Sequence, residues 1–559
     1  MARLRQTRCT GACLLFILLS TGAFAAGDGG ATASGLRGGL SALDWGVVVV
    51  YAAAMLAIGF YYARRMKTSE EYYLGGRKMK PSMVGLSLFA TLLSTISYLA
   101  VPGELMKHGP IALLNVVALP VVFVIVGYLL IPFIMRLPIT SAYEILETKF
   151  GRPTRLFGSA VFLLIRLVWM GLVVFTASKV IVPAIGLSPD KIPYVIVVLG
   201  AVTVIYSSMG GLQAVVLTDT IQTFILFVGA VVCVVIITVR MGGVGWFPTE
   251  WSPNWDTQPL FSFDPTVRVT MVGMVGMGIV WWICTAGSDQ MAIQRYLATR
   301  DAKAARTAFL INCIADVLVT IVLGLLGFAL LGFFLANPQY QLGELNLERD
   351  ADSLFPYFIV NFMGYGMAGL VISGLLAAAM SSLSSGVNSG ATVVNTDFLD
   401  YFLGEGATEE KKVRMAKWTS VVIGVLVILL GIVEGKIPGN LFEVTQKTNG
   451  LFVAPLFGLF FFAMFVPFAT GFGAVWGSIY GFVAAFLVAF WDLTGGPALS
   501  FTWIYPVSLI VNIAVGCGLS LIPMRDKSRA YKTAVSAVCA VPLVAVGCAF
   551  TWACFAGNP

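Results

Sequence analysis

The chain has 559 residues, of which 58% are hydrophobic and 11% are charged. A soluble globular protein carries about 25% charged residues, so this composition excludes an ordinary water-exposed surface. The formal net charge of +7 does not indicate a nucleic-acid partner, because the Lys and Arg residues lie in short clusters between long apolar segments. Membrane proteins show this pattern through the positive-inside bias.

The N-terminus has the features of a secretory signal. A basic start at residues 3–8 precedes an apolar stretch at 14–19 and small residues at 23–25, as cleavable signals do. We predict a signal peptide at 1–26; an uncleaved additional helix is the alternative. The Gly- and Ala-rich segment that follows is predicted to make 27–43 a disordered periplasmic linker, and 44–559 the membrane domain.

Apolar segments of membrane-spanning length recur along the rest of the chain. One crossing of a bilayer needs about 20 apolar residues, and hydropathy predicts about fourteen such spans. Their predicted limits are 44–63, 82–105, 112–135, 157–182, 191–209, 213–239, 268–288, 307–335, 366–396, 416–434, 440–466, 471–491, 502–523 and 533–554. The prediction is an all-α polytopic protein of a lipid bilayer.

The basic clusters lie in alternate loops. They follow spans 1, 3, 7, 9 and 13, so all of them face one side if the span count is right. The cluster after span 7 includes Arg295, Arg300, Lys303 and Arg306. The positive-inside bias then predicts a cell (inner) membrane protein with cytoplasmic basic loops and both termini periplasmic or extracellular.

The residues needed for enzymatic or ATP-driven chemistry are missing from the sequence. His108 is the single histidine, and the nine cysteines form no disulfide or metal-binding spacing. There is no Walker motif, so ATP hydrolysis is not expected to drive this protein. We predict that the chain is not an enzyme.

Span 9 contains four serines within five positions, at 381, 382, 384 and 385. Ser381, Ser384 and Ser385 have the spacing i, i+3 and i+4, which places them on one helical face. Hydroxyl and carbonyl oxygens are the ligands that a hard cation such as sodium prefers. The alternative is that the small side chains allow close helix packing.

Span 6 carries an acidic residue, Asp219, about two turns from the predicted cytoplasmic end. Ionisable residues inside membrane spans are costly and usually functional. Because span 9 runs in the opposite direction, Asp219, Ser384 and Ser385 are predicted to share a depth in the membrane. The alternative is a structural hydrogen-bond anchor.

Three phrases carry a resemblance to a known family: Gly210 to Asp219, Ala377 to Ser385, and Ser288 to Leu297. With them, nearly everything after residue 44 resembles the sodium/solute symporter family, which includes glucose, iodide, proline, monocarboxylate and sialic acid carriers. The resemblance implies a leucine-transporter-like fold of two inverted five-helix repeats, at about 82–239 and 268–466, each with a broken first helix. The breaks are expected near 94–97 and 286–288.

The same resemblance implies two sodium ions as coupling ions. One family site would take the carbonyl groups of Ala90, Leu93 and Ala378 and the hydroxyl groups of Ser381 and Ser382. The second site, present in some members, would take Asp219 with Ser381, Ser384 and Ser385.

The solute residues match the family less completely. Sialic acid carriers have hydroxyls at positions matching Ser94 and Ser97, but Trp169 stands where their carboxylate-binding Arg would be. Arg166 lies one turn earlier; it either substitutes for that Arg or pairs with Asp316 of span 8. Gln446 matches a sugar-contacting Gln of glucose carriers. The span 2 phrase with which glucose carriers contact the sugar is absent from this chain.

The function implied by the resemblance is sodium-coupled import of a small organic solute by alternating access. The solute would be a sugar, a sialic acid-like sugar acid or a monocarboxylate, and the protein would be monomeric or weakly oligomeric. The alternative is a membrane-embedded solute sensor of the same fold without net transport.

Overall fold

The computed structural model describes residues 39–340, 351–400, 408–433, 441–524 and 527–556. The predicted signal at 1–26 and most of the predicted linker lie outside these residues. Every regular element in the described part of the chain is helical, as the apolar composition predicted. A bilayer imposes this result, because a helix satisfies its backbone hydrogen bonds within one segment.

The helices follow the predicted spans closely, and we keep the span numbers as their names. Most spans are single helices: Ala42–Ala63 (span 1), Arg152–Ala184 (4), Ile192–Arg240 (5 and 6), Ala302–Ala336 (8), Glu409–Val433 (10), Gly471–Ala489 (12), Ile504–Ser520 (13) and Arg529–Ala556 (14). Five spans are composed of pieces: Pro81–Leu92 and Thr95–His108 (2), Pro110–Ala118 to Ile131–Ile134 (3), Met271–Ser288 and Gln290–Leu297 (7), Met367–Val393 and Val394–Leu399 (9), and Leu441–Gly450 and Val453–Phe465 (11). Short helices in the loops include Ser69–Leu74, Glu144–Phe150 and Ala351–Phe362.

The described residues contain 12 helices that are long and apolar enough to cross a membrane, or 13 with the two halves of span 2 counted as one crossing. The predicted number of fourteen is not confirmed by this count, which takes spans 5 and 6 together as Ile192–Arg240, two helices that meet at a kink. That element has 49 residues, and at 1.5 Å per residue it far exceeds a hydrocarbon core of about 30 Å. Gly211 interrupts it with φ 53° and ψ −161°, between the two predicted spans.

Both predicted helix breaks are present, each within about a residue of its predicted position. The halves of span 2 meet at Leu93-Ser94 and are bent by 65°. Span 7 is interrupted at Asp289, whose backbone is extended with φ −82° and ψ 124°. The Asp289 side chain accepts the N–H of Met291 at 2.8 Å, and Tyr143 donates its hydroxyl to the carbonyl of Ser288 at 3.2 Å. Side chains thus satisfy the backbone groups that the breaks release.

Loops with basic clusters lie on one face of the bundle, here named the basic face. The loop after span 1 contacts the loop after span 3 through Arg77 and the carbonyl of Ile139, at 2.7 Å. It contacts the start of span 10 through Ser69 and Glu409, at 2.8 Å. The N–H of Met79 also donates to the carbonyl of Ala298, after span 7, at 3.0 Å. The structure therefore brings together the loops after spans 1, 3, 7 and 9, as the predicted alternation requires for these four.

Candidate sodium and solute sites

The first predicted sodium set is assembled where span 9 crosses the break of span 2. The Ser381 hydroxyl donates to the carbonyl of Ala90 at 2.8 Å and lies 3.1 Å from the carbonyl of Ala378. The Ser382 hydroxyl lies 3.3 Å from the carbonyl of Leu93. Leu93 has an extended backbone, φ −86° and ψ 118°, so its carbonyl leaves the helical hydrogen-bond pattern. These contacts therefore bring all five predicted residues together where span 9 crosses span 2.

The second predicted set is only partly assembled. The Ser385 hydroxyl donates to Asp219 Oδ2 at 3.2 Å, whereas the Ser384 hydroxyl donates to the carbonyl of Ser381 at 3.1 Å within span 9. Asp219 Oδ1 is buried and has no hydrogen-bond partner among the residues that the structure describes. This oxygen is a free acceptor beside the serine cluster.

Arg295 completes the surroundings of Asp219, and the sequence analysis missed this role. Its Nη2 lies 3.0 Å from Asp219 Oδ2 and also contacts the Ser385 hydroxyl. Its Nε donates to the Ser87 hydroxyl at 2.9 Å, and Ser87 in turn donates to Asp219 Oδ2 at 2.6 Å. The assignment of Arg295 to a cluster of loop cations is therefore wrong.

Arg295 is not a loop cation because the short second half of span 7, Gln290–Leu297, is buried along its whole length. A cation on that helix needs an intramembrane partner, and Asp219 is that partner. The only signal in the sequence was the position of Arg295 inside the Ser288 to Leu297 phrase, away from the other cations of its cluster.

A cavity of about 140 Å³ lies beside the first sodium set. Leu93 belongs both to the wall of this cavity and to the sodium set. The polar residues that line the cavity are Thr91, Ser97, Asn115, Arg166, Thr285, Asp316, Thr320, Thr445, Gln446 and Asn449, and its larger aromatic residues are Phe89, Trp169, Trp281, Trp282 and Phe442. Four of the five predicted solute residues are therefore in its wall.

Ser94 is the exception. It is fully buried and is not part of the cavity wall. Its hydroxyl accepts the N–H of Ser97 at 3.4 Å, so it caps the second half of span 2. The sequence could not separate these neighbours, because an irregular backbone at the break directs successive side chains to different surroundings.

Several polar atoms in the cavity wall have no protein partner. Asn115 Oδ1, Arg166 Nε, Thr285 Oγ1 and Thr445 Oγ1 are buried without a hydrogen bond among the described residues. Each such atom costs about 1–3 kcal/mol unless a ligand or water satisfies it. Their convergence on one cavity suits a solute with several hydrogen-bonding groups.

Arg166 forms its ion pair with Asp289 at the break of span 7. The suggested pairing of Arg166 with Asp316 is therefore wrong, and the reason is that the extended backbone at Asp289 brings a carboxylate closer. Asp316 lines the cavity. It forms no salt bridge within the described part of the chain.

Three comparisons place these features among known proteins. Residues 72–481 match the model of the sodium:solute symporter family. The chain is 30% identical over 451 residues to the sodium/sialic acid symporter SiaT of Proteus mirabilis, covering 78% of this chain and 86% of that protein. It is 27% identical over 441 residues to the sodium-coupled monocarboxylate transporter 1 of Homo sapiens, covering 76% and 70%.

The fold is also similar to solved structures. A substrate-bound, outward-open Na⁺-coupled sialic acid symporter superposes with a TM-score of 0.74 at 27% identity, covering 86% of this chain and 98% of that one. The nucleobase-cation-symport-1 family transporter Mhp1 superposes with a TM-score of 0.52 at 14% identity, covering 82% and 96%; that likeness concerns the fold alone. These proteins are transporters and not enzymes.

Proposed function

The chain belongs to the sodium:solute symporter family, and on that premise we propose that it imports a small polyhydroxylated solute, a sugar or a sugar acid, together with sodium. One observation carries this proposal. The break of span 2 at Leu93 is shared by the candidate sodium set and by the wall of the cavity. An ion and a solute bound there would interact with the same piece of irregular backbone.

This shared backbone explains how sodium would favour solute binding. Sodium between Ala90, Leu93 and the serines of span 9 would hold span 2 against span 9, because its ligands come from both. A ligand shifts a conformational equilibrium only by its differential affinity for the two states. Sodium that binds best with spans 2 and 9 together would thus stabilise the arrangement that completes the cavity wall, and sodium and solute would be released on the opposite side after the change of access.

We propose that a second sodium ion binds at Asp219. Supporting this is the free Oδ1 of Asp219, which belongs to the carboxylate whose Oδ2 accepts from the Ser385 hydroxyl. Arg295 neutralises the same carboxylate through Oδ2. An ion at Oδ1 would therefore compete with Arg295 for the negative charge, so this site is expected to be the weaker of the two.

The cavity supports the proposed solute class. Indole faces such as those of Trp169 and Trp281 stack on the apolar face of a sugar ring, and the unpartnered polar atoms suit its hydroxyl groups. Asp316 would accept hydrogen bonds from hydroxyl groups. A solute carboxylate would have to compete with Asp289 for Arg166. The relatives named as sialic acid symporters support a sugar acid. A monocarboxylate is the second candidate solute, because other relatives are named as monocarboxylate transporters.

We further propose that the basic face is cytoplasmic, so that both termini lie outside the cell membrane. The positive-inside bias supports this orientation. Nothing among the comparisons favours the sensor interpretation.

The test is uptake into proteoliposomes with an imposed inward sodium gradient. Labelled sialic acids, neutral hexoses and short monocarboxylates are offered in parallel, with potassium replacing sodium as the control. We expect accumulation of one hydroxyl-rich class only when the gradient is of sodium. Equal accumulation with potassium would contradict sodium coupling, and exclusive uptake of monocarboxylates would contradict the solute class.

A further inference from the structure

A second cluster of buried polar groups lies between Asp219 and the basic face. Its centre is the Nε2 atom of Gln294, which lies 2.6 Å from the carbonyl of Tyr73, 3.0 Å from Asn388 Oδ1 and 3.1 Å from Thr392 Oγ1. An amide nitrogen has only two hydrogens, so it cannot satisfy all three oxygens. Three oxygen atoms therefore compete for two hydrogen atoms at this nitrogen.

The same cluster contains two buried atoms without partners. Gln294 Oε1 and Asn388 Nδ2 have no hydrogen bond among the described residues. Gln294, Asn388 and Thr392 are at most 1% exposed. A cluster used only to pack span 7 against span 9 would be more stable with apolar side chains or with complete hydrogen bonding.

The position of the cluster connects it to the second sodium set. Asn388 follows Ser385 by one helical turn on span 9, and Thr392 follows by one more, so the three share a helical face. Tyr73 belongs to the loop after span 1 on the basic face. Along this face of span 9, Asn388 and then Thr392 therefore follow Ser385, the neighbour of Asp219, in the direction of the basic face.

We infer that Tyr73, Asn388 and Thr392 form a transit site for sodium on its way to the cytoplasm. The inference rests on the proposed function and orientation. When Gln290–Leu297 moves away from span 9 in the inward-open state, the Gln294 amide leaves the point among the three oxygens. A sodium ion takes that place among the three remaining oxygens.

The chemistry of the three ligands suits a transit step. All of them are neutral, so they replace part of the hydration shell without holding the ion by charge. Ion passage requires sites that bind well enough to admit the ion and weakly enough to release it. The ion pair of Asp219 with Arg295 assists the release, because Arg295 continues to neutralise the carboxylate after sodium moves on.

Two substitutions separate a sodium site from a structural contact. Thr392→Val removes one ligand and keeps the shape of the side chain. Asn388→Asp keeps an oxygen that accepts the Gln294 hydrogen bond but adds a negative charge. A purely structural contact would only be destabilised by the buried charge of Asn388→Asp, whereas a cation site would bind sodium more tightly. Ser373→Ala is the matched control, because this buried hydroxyl of span 9 donates only to Gly369 within its own helix.

The measurement is ²²Na⁺ exchange influx into right-side-out and inside-out vesicles, with sodium varied on the outer side at a fixed internal concentration and the solutes of the uptake screen on both sides. Thr392→Val should raise the half-saturating sodium concentration at the cytoplasmic face roughly fivefold, the effect of one lost neutral contact. Asn388→Asp should lower it. The extracellular value should stay that of wild type in both, as in Ser373→Ala.

Two results would overturn the transit site: wild-type sodium dependence of both variants at the cytoplasmic face, or equal shifts at both faces. Either is separate from failure of the proposed function. If the wild type itself shows no sodium exchange, the proposed function fails; if it exchanges sodium normally and the variants match it, only the transit site fails.

Discussion

Arg295 and Asp219 form an ion pair with an Nη2 to Oδ2 distance of 3.0 Å, and neither side chain is exposed. The pair joins the second half of span 7 to span 6 beside the serine cluster of span 9. Each charge stabilises the other, because an unpaired charge inside a membrane protein is costly. The same carboxylate is proposed to bind sodium, so ion binding and the contact between spans 6 and 7 are linked.

Asp219→Asn should therefore have two effects. It should lower the Hill coefficient for sodium toward one while leaving some transport, because the second ion loses its carboxylate. It should also lower thermal stability, since breaking a buried pair costs about 3–5 kcal/mol. Uptake titrations and thermal unfolding measure the two effects separately.

The double variant Asp219→Asn/Arg295→Gln is the control for that experiment. It should recover much of the stability, because no charge is left without a partner, and should keep the lower Hill coefficient. A wild-type coefficient of one, with one charge moved per solute, would show that the second site is not used.

Ser381→Ala should raise the sodium requirement more than the other serine substitutions in span 9. Its hydroxyl contacts the carbonyls of both Ala90 and Ala378, and the resemblance assigns it to both sodium sites. We expect the half-saturating sodium concentration to rise roughly fivefold to tenfold, as for loss of one or two neutral contacts. Sodium-dependent uptake is compared with that of Ser373→Ala, and an unchanged requirement would argue against both sodium sites.

Arg166→Gln and Asp289→Asn should each reduce thermal stability, and the double variant should recover it. The reason is that each single change leaves a buried charge alone in the membrane core, with a cost of about 3–5 kcal/mol. A double-mutant cycle of unfolding temperatures measures the coupling. Asp316→Asn combined with Arg166→Gln should show no such recovery; a recovery there would indicate that Asp316 is the partner after all.

Asp316→Asn should change solute recognition rather than folding. Asp316 lines the cavity, and its carboxylate would accept hydroxyl hydrogen bonds from a polyhydroxylated solute. An amide keeps one acceptor, so we expect a rise in KM for the preferred solute at nearly unchanged stability. The change should be smaller for a monocarboxylate without hydroxyl groups. An unchanged KM for every transported solute would place Asp316 outside the binding contacts.

The sequence by itself determined the helical class and the approximate span limits, and the family resemblance that it carries added the two breaks. These features depend on local properties: the length of an apolar run sets a crossing, and clustered Ser and Gly residues mark where a helix in a membrane can be interrupted. The family resemblance also selected Ala90, Leu93, Ala378, Ser381 and Ser382, which the structure brings together.

The tertiary structure decided the charge partners. Arg295 reads in the sequence as the first cation of a loop cluster, and only the packing of Gln290–Leu297 between other spans shows that it is buried with Asp219. In the same way, Arg166 meets Asp289 rather than Asp316 because span 7 is extended at that residue. Such pairs join residues far apart in the chain, so their choice depends on how helices pack and where backbones bend, which no local pattern specifies.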